Sequence, residues 1–133
     1  MGNFGWDSRK WERVRFEVQG FFRLNRLSRT QIGLREKTVS AKFLDVSEGG
    51  CGLESPSFIP GGVRLNIFVD RNFLLPSAKR SRKRRFAKMA GVVRYCSQLV
   101  MKRYRLGIQF ERVSRADREL IRDYVERNKS APA

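Results

Sequence analysis

Apolar and polar residues alternate along most of the chain with the period of two that is typical of half-buried β-strands. The first alternating stretch begins at Val14 and includes Phe16, Val18, Gly20, Phe22 and Leu24. Later stretches lie at residues 39–43, 51–53, 63–69, 86–98 and 104–110. A polar connection that reaches about Glu36 separates the first two, and glycine-rich segments such as Pro60-Gly61-Gly62 indicate turns between others. Short strands joined by turns predict a small antiparallel sandwich or barrel.

The pattern changes its period near the C-terminus. Ser114 can cap a helix, and Asp117 follows three residues later, as in a helix N-terminus. The apolar residues of this segment lie on one predicted stripe, Ala116, Leu120 and Tyr124, with Ile121 and Val125 beside it. We therefore expect one amphipathic helix at about 114–128, covering an open edge or end of the barrel. Residues 1–13 are predicted to be a flexible arm, residues 14–128 the barrel with its helix, and 129–133 a tail.

The composition favours one domain with an anionic partner. The chain has 133 residues, 41% of them hydrophobic, and a formal net charge of +16. That length fits a single domain with a modest core. The positive field attracts nucleic acid, acidic lipid, nucleotides or an acidic protein surface, and it does not distinguish among them.

Several kinds of chemistry lack their usual residues. Histidine is absent, which removes Ser-His and Cys-His nucleophile pairs and most catalytic zinc sites. There is no GxxxxGK[ST] phosphate-binding loop, and Cys51 and Cys96 are far apart. We therefore predict a protein without catalytic activity, metal or cofactor. Two packed, reduced thiols and the lack of an apolar membrane span favour a cytoplasmic protein.

One connection carries a dense run of positive charge. The segment KRSRKRR contributes six basic residues, Lys79, Arg80, Arg82, Lys83, Arg84 and Arg85. Without them the net charge would still be +10, so the segment is not the only source of the basicity. It could contact phosphates or an acidic partner, or it could be a solvated, self-repelling loop. Phe86 is the only aromatic residue beside it in the sequence, which is a weak signal for a base-stacking platform.

Two short motifs flank the first two predicted strands. Residues 9–13 read RKWER and give Arg9-x-x-x-Arg13, while residues 45–50 read DVSEGG and give Asp45-x-Ser47-x-x-Gly50. The RxxxR spacing alone is uninformative, because it recurs at residues 80–84 and 118–122. The order of the two motifs, with a strand beginning immediately after the first, is what makes them informative.

This ordered pair resembles the PilZ domain family, which are bacterial receptors for cyclic di-GMP. GVVR and YRLGIQF strands followed by a helix extend the likeness over residues 9–127. The resemblance implies an all-β fold: an antiparallel barrel of about six strands with a C-terminal helix. It also implies that cyclic di-GMP is the ligand and that the main contacts are Arg9, Arg13, Asp45, Ser47 and Gly50. Further candidate contacts are Gly49, Trp11, Gly107 and Gln109.

The residue chemistry agrees with that ligand. The planar guanidinium groups of Arg9 and Arg13 can bind guanine O6 and N7 or straddle phosphate oxygens. The Asp45 carboxylate can accept hydrogen bonds from guanine N–H groups, and Ser47 can donate to a phosphate or accept from a base. Two glycines after Glu48 would permit positive φ and a close approach of backbone N–H groups to an anion.

Simpler interpretations remain for each residue. Asp45 and Ser47 could bond only their own turn, and Arg9 and Arg13 could belong to a solvated arm. Trp11 either anchors the arm by packing, which we favour, or offers a surface for base stacking.

At the level of function, we expect a cyclic di-GMP adaptor whose arm rearranges to create or hide a surface for a downstream protein partner, for which an acidic protein is one candidate. It would act as a monomer or a ligand-induced dimer. The alternative is a basic β-barrel that binds nucleic acid through residues 79–85, and an acidic membrane surface is a further candidate partner of that loop.

Overall fold

The alternating stretches form six β-strands in the computed structural model, which describes residues 11–129. The strands are β1 (Val14–Arg23), β2 (Thr38–Val46), β3 (Gly50–Ser55), β4 (Arg64–Asp70), β5 (Phe86–Gln98) and β6 (Tyr104–Val113). The helices are α1 (Arg26–Ile32) and α2 (Arg115–Asn128), and two short 3₁₀ turns, Arg71–Leu74 and Ser77–Lys79, lie between β4 and β5.

The strands close into an antiparallel barrel in the order β1-β2-β3-β6-β5-β4. Most neighbouring strands pair over long stretches, whereas β1 and β4 pair only where Phe21, Phe22 and Arg23 face Phe68, Ile67 and Asn66. The barrel with its C-terminal helix confirms the predicted fold class. Because of the strand directions, the β2–β3 turn, the β4–β5 connection and α2 share one end of the barrel.

The barrel interior is filled by the inward-facing residue of each strand. Phe16, Phe22 and Phe43 are fully buried, and the rings of Phe16 and Phe43 meet edge to face at 5.5 Å. Ile67 and Ile108 are also completely inaccessible to solvent. A small barrel packed in this way holds no ligand inside, so a binding site must lie on its outer wall.

Helix α2 closes one end of the barrel. Ser114 caps it by accepting a hydrogen bond from the Asp117 backbone N–H at 3.1 Å, as the sequence predicts. Ile121 and Val125 are buried and Leu120 and Tyr124 pack partly buried on the core, as the predicted stripe requires. Ala116 is exposed, and the buried residue in the first turn is Asp117 instead. The buried Asp117 carboxylate pairs with Arg71, at 2.9 Å, in the β4–β5 connection.

The same helix lies against the first half of β1. The Tyr124 ring packs on Phe16 with centroids 5.0 Å apart, and its hydroxyl donates to the carbonyl of Arg15 at 3.3 Å. Helix α2 therefore covers the part of β1 that extends beyond its pairing with β4, as expected for a helix at an open edge. Within residues 11–129, no helix combines the length and the apolar character needed to cross a membrane.

Helix α1 lies in the polar connection between β1 and β2, where the sequence pattern predicts no helix. Asn25 caps it by accepting a hydrogen bond from the Ser28 N–H at 2.8 Å, and Gly33 ends it in the left-handed conformation with φ of 73°. These two residues are recognisable helix-terminus signals. The seven-residue helix buries none of its own residues completely, which explains why its apolar pattern is weak.

Candidate functional site

The turn between β2 and β3 is shaped by Ser47. Its backbone N–H donates to the carbonyl of Gly50 at 2.8 Å. Its hydroxyl oxygen accepts hydrogen bonds from the N–H groups of Gly49 at 3.1 Å and Gly50 at 3.2 Å. The Ser47 side chain is buried, and its hydrogen bonds stabilise the turn. Direct contact between Ser47 and a ligand stays a prediction.

In this turn, Gly49 is needed for space rather than for an unusual backbone angle. The expectation of positive φ at Gly49 and Gly50 is wrong, because the described glycines with positive φ are Gly33 and Gly62. A Cβ atom at Gly49 would overlap the indole ring of Trp11. Trp11 therefore packs on the turn, which brings the end of the arm against the DxSxxG motif.

Asp45 connects the two sequence motifs. It belongs to the end of β2 rather than to the turn, next to an irregularity in the β2–β3 register. One carboxylate oxygen is 3.0 Å from Nη1 of Arg13, and the other is 2.7 Å from Nη2 of Arg105 on β6. The structure thus places the second arginine of RxxxR beside the aspartate of DxSxxG.

Strand register explains what surrounds Asp45. Asp45 on β2 faces Gly52 on β3, Gly52 faces Gly107 on β6, and Gly107 faces Tyr95 on β5. This row crosses four strands on the outer wall, and Arg105 projects from β6 beside it. We call these five residues the glycine face.

The two glycines of the glycine face make room for the side chains around them. A Cβ atom at Gly52 would lie 3.0 Å from both Nη2 of Arg105 and a carboxylate oxygen of Asp45. A Cβ atom at Gly107 would overlap the ring of Tyr95. Larger residues would therefore displace the guanidinium, the carboxylate or the ring from the wall.

Arg105 links the polar and aromatic halves of the glycine face. Its Nε donates to the Tyr95 hydroxyl at 3.3 Å, in addition to the bond from Nη2 to Asp45. Partial burial lowers the pKa of Arg105, but the hydrogen bonds to Tyr95 and Asp45 outweigh it and raise the pKa above its usual value. The group is a fixed cation at any physiological pH.

A buried thiol lies directly beneath this face. Cys51 is on β3 between Gly50 and Gly52, and its side chain points into the core. Burial raises the pKa of the Cys51 thiol, the nearby charge of Asp45 raises it further, and Arg13 partly opposes the shift. The thiol is therefore protonated and unreactive at neutral pH.

The remaining predicted ligand residues differ in their positions. Gln109 is on β6 opposite Gly50, and its side-chain oxygen accepts a hydrogen bond from Nε of Arg94. Gly107 lies on the glycine face, under Tyr95. Arg9 lies outside the described residues.

Sequence reasoning missed Arg105, Gly52 and Tyr95. Strand alternation gives one usable signal: in YRLGIQF, Arg105 shares the outward parity of the predicted Gly107 and Gln109. Tyr95 and Gly52 depend on which strands are neighbours, and that information is not contained in either strand alone.

The six basic residues at 79–85 lie in the β4–β5 connection, and all six are exposed. Arg84 approaches the Asp70 carboxylate at 3.6 Å. The connection precedes β5, whereas Tyr95 of the glycine face lies in the second half of that strand. The segment therefore adjoins the half of β5 opposite to the one that carries Tyr95.

A filled barrel with charged and aromatic groups on its wall defines a small β-barrel binding domain. Residues 7–127 match the sequence model of the PilZ domain, and the chain belongs to the PilZ domain family. No curated protein sequence matches the chain.

Three solved structures of low sequence identity, which represent two proteins, have the same fold. The inhibitor of motility MotI/DgrA of Bacillus subtilis is 14% identical with a TM-score of 0.65, and the match covers 91% of this chain and 51% of that one. YcgR from Escherichia coli in complex with cyclic di-GMP is 15% identical, with a TM-score of 0.59 and coverage of 90% and 45%. The PilZ domain of YcgR with cyclic di-GMP is 14% identical, with a TM-score of 0.60 and 92% coverage of both chains. The chain therefore spans about half the length of the first two proteins.

Proposed function

We propose that the protein binds cyclic di-GMP on the glycine face and acts as a non-catalytic signalling adaptor. The observation that carries this proposal is the Asp45 carboxylate, which lies between Arg13 of the RxxxR motif and Arg105 of β6. Membership of the PilZ family and the cyclic di-GMP complexes of YcgR support the choice of ligand.

The groups on this face match the chemistry of the ligand. Arg13 and Arg105 can bind the phosphates or the O6 and N7 edge of guanine, while Asp45 can accept from the guanine N–H groups. The Tyr95 ring is 38% exposed and offers a flat surface on which a base can stack. Arg9 would add a second guanidinium from the arm.

The contacts of the arm suggest how binding could become a signal. Trp11 packs on Gly49, Glu12 lies 3.7 Å from Nζ of Lys129 at the end of α2, and Arg13 pairs with Asp45. The pair between Glu12 and Lys129 is solvent-exposed and therefore weak. Phosphate oxygens of the ligand can compete with Asp45 for Arg13, so binding would move the arm and change the surface offered to a downstream protein.

Titration calorimetry with cyclic di-GMP tests the proposal. We expect the wild-type protein to bind at micromolar concentrations or below, and Arg13→Ala and Asp45→Ala to weaken binding roughly tenfold to a hundredfold, since charged hydrogen bonds are lost. Arg15→Ala is the matched control, because Arg15 is the next arginine along the chain and its side chain is 85% exposed.

Two outcomes contradict the proposal. One is the absence of binding heat with the wild-type protein at micromolar concentrations. The other is equal affinity of the Arg13→Ala and Arg15→Ala variants, which would show that the pair with Asp45 has no part in recognition.

A further inference from the structure

A cluster of phenylalanine rings lies on the outer wall of the barrel, formed by β1, β4 and the start of β5. Phe21 and Phe68 face each other across the β1–β4 pairing, and their rings stack at 4.8 Å with an interplanar angle of 14°. The Phe86 ring meets Phe21 edge to face at 5.3 Å. Phe73, in the β4–β5 connection, borders the same hollow. We call these four residues the phenylalanine face.

Strand alternation sends these rings outward while their neighbours fill the core. Phe22, Ile67 and Ala87, each adjacent in sequence to one of the rings, are completely buried. Phe73 and Phe86 remain 40% and 42% exposed. Because the core is already filled without them, packing inside the barrel does not explain four rings on one outer wall, and a surface cluster of this kind indicates a binding site.

The rings are bordered by positive charge. The guanidinium carbon of Arg23 lies 5.5 Å from the centroids of both Phe21 and Phe68, and Lys88 faces Phe68 in the neighbouring strand. Arg84 lines the hollow that Phe21, Phe73 and Phe86 enclose, with a volume of about 270 Å³. A ligand in this hollow would meet flat apolar surfaces and the Arg84 guanidinium, which lies 3.6 Å from the Asp70 carboxylate that also lines the hollow.

The basic segment at 79–85 leads directly into this cluster, and hydrogen bonds to its main chain hold it in place. The side-chain amide of Asn72 donates to the carbonyl of Ser81 at 2.7 Å and accepts from its N–H at 3.0 Å. The N–H of Arg71 donates to the carbonyl of Arg85 at 2.7 Å. These bonds order the main chain, and all six basic side chains remain exposed, with Arg80 donating to the Leu75 carbonyl and Arg84 lying near Asp70.

We propose that the phenylalanine face and the basic segment together bind single-stranded nucleic acid. Unpaired bases can stack on exposed phenylalanine rings, and the basic side chains can follow the phosphates. A duplex hides its base faces, so it could use only the charges. A membrane surface fits less well, because Phe21 and Phe68 are only partly exposed and stack on each other instead of projecting from a protruding tip.

This site is separate from the proposed cyclic di-GMP site. The phenylalanine face is carried by β1, β4 and the start of β5, whereas the glycine face is carried by β2, β3, β6 and the second half of β5. The two proposals can therefore fail independently. Cyclic di-GMP titration of the same variants reports on the glycine face alone.

Fluorescence anisotropy with end-labelled 16-nucleotide probes tests the inference, using single-stranded DNA, single-stranded RNA, and the corresponding DNA duplex. We expect tighter binding of a single strand than of the duplex. The Phe73→Ala/Phe86→Ala variant should weaken single-strand binding by about 30-fold or more, because two stacking surfaces are lost. The DNA and RNA arms identify which single strand is preferred.

Two controls separate stacking from charge and from misfolding. Phe58→Ala removes a ring of similar exposure, 55%, that packs on Tyr104 away from the cluster, and should leave affinity unchanged. Replacing Lys83, Arg84 and Arg85 by glutamine should weaken every probe and reduce the salt dependence of binding.

Three results would overturn the inference. The first is no binding of either single strand at low salt. The second is duplex binding at least as tight as single-strand binding. The third is a loss in the double phenylalanine variant no larger than that in Phe58→Ala. Binding of anionic lipid vesicles without binding of oligonucleotides would also count against it and would indicate a membrane surface instead.

Discussion

The glycine face and the phenylalanine face are built on the same barrel by the same alternation, and they differ in what points outward. On the glycine face, the absence of side chains at Gly52 and Gly107 makes room, and the nearby charges are committed to each other. On the phenylalanine face, large rings occupy the wall and most of the adjacent cations project into solvent. The first arrangement suits one small ligand of defined shape, while the second suits an extended polymer that needs stacking and a positive field.

The largest expected effect comes from a substitution in the barrel core, which supports both faces. Phe43 is fully buried and contacts Phe16, so Phe43→Ala should lower the free energy of unfolding by about 3–5 kcal/mol. Urea unfolding followed by circular dichroism measures this loss. Phe58→Ala, at an exposed position, should cost less than about 1 kcal/mol. Comparable losses in the two variants would mean that the barrel interior does not hold the faces together.

A change at Arg105 should affect only the glycine face. Arg105→Ala removes the hydrogen bonds to Asp45 and Tyr95, and we expect cyclic di-GMP affinity to fall by about 1.5–3 kcal/mol. Calorimetry measures the affinity, and the anisotropy assay should show unchanged oligonucleotide binding. Arg103→Ala is the control, because Arg103 makes a similar 2.8 Å pair with Glu54 outside the row. Equal effects of the two variants would remove Arg105 from the proposed site.

Gly49→Ala tests whether Trp11 of the arm packs on the β2–β3 turn. The new methyl group would overlap the Trp11 indole, and overpacking of this kind costs about 1–3 kcal/mol. In a Trp6→Phe background, the emission of Trp11 should shift to longer wavelength as the ring moves into water. Gly61→Ala serves as the control, since its nearest atom would be 3.5 Å away. An unchanged emission spectrum in Gly49→Ala would contradict the packing of Trp11 on the turn.

The smallest expected effect is a loss of folding stability at alkaline pH, caused by the buried thiol of Cys51. The folded-state pKa of Cys51 is raised above the usual 9.0, chiefly by burial. Below pH 9 the Cys51 thiol is protonated in both the folded and the unfolded chain. Above pH 9 it ionises only in the unfolded chain, so the free energy of unfolding falls by about 1.4 kcal/mol per pH unit.

Urea unfolding at pH 8 and pH 10 measures the Cys51 effect. Cys51→Ala should lose less stability between these pH values than the wild-type protein does. Cys96→Ala is the comparison, because the Cys96 side chain is less buried than that of Cys51 and should account for a smaller difference. Identical pH dependence of wild type and Cys51→Ala would argue against a thiol kept protonated by the fold.

The sequence predicted the elements better than the contacts between them. Alternation identified the strands because half-buried strands repeat every two residues, and Ser114 marked the start of α2. Family resemblance supplied the barrel and the two motifs. The row from Asp45 to Tyr95 was not predictable from alternation, because it depends on the register of four strands. Phe21 and Phe68 are 47 positions apart and become neighbours only when β1 pairs with β4.

The short pairing between β1 and β4 has a consequence for association. Beyond Phe21–Arg23, the first half of β1 relies on α2 for cover, with Tyr124 donating its hydroxyl to the Arg15 carbonyl. An uncovered strand edge is a template for pairing with another chain. Helix α2 thus blocks the addition of another strand to this edge of β1. A protein partner that binds here would have to contact side chains or displace the helix. A chain ending before Arg115 would expose that edge and should tend to join copies of itself strand to strand.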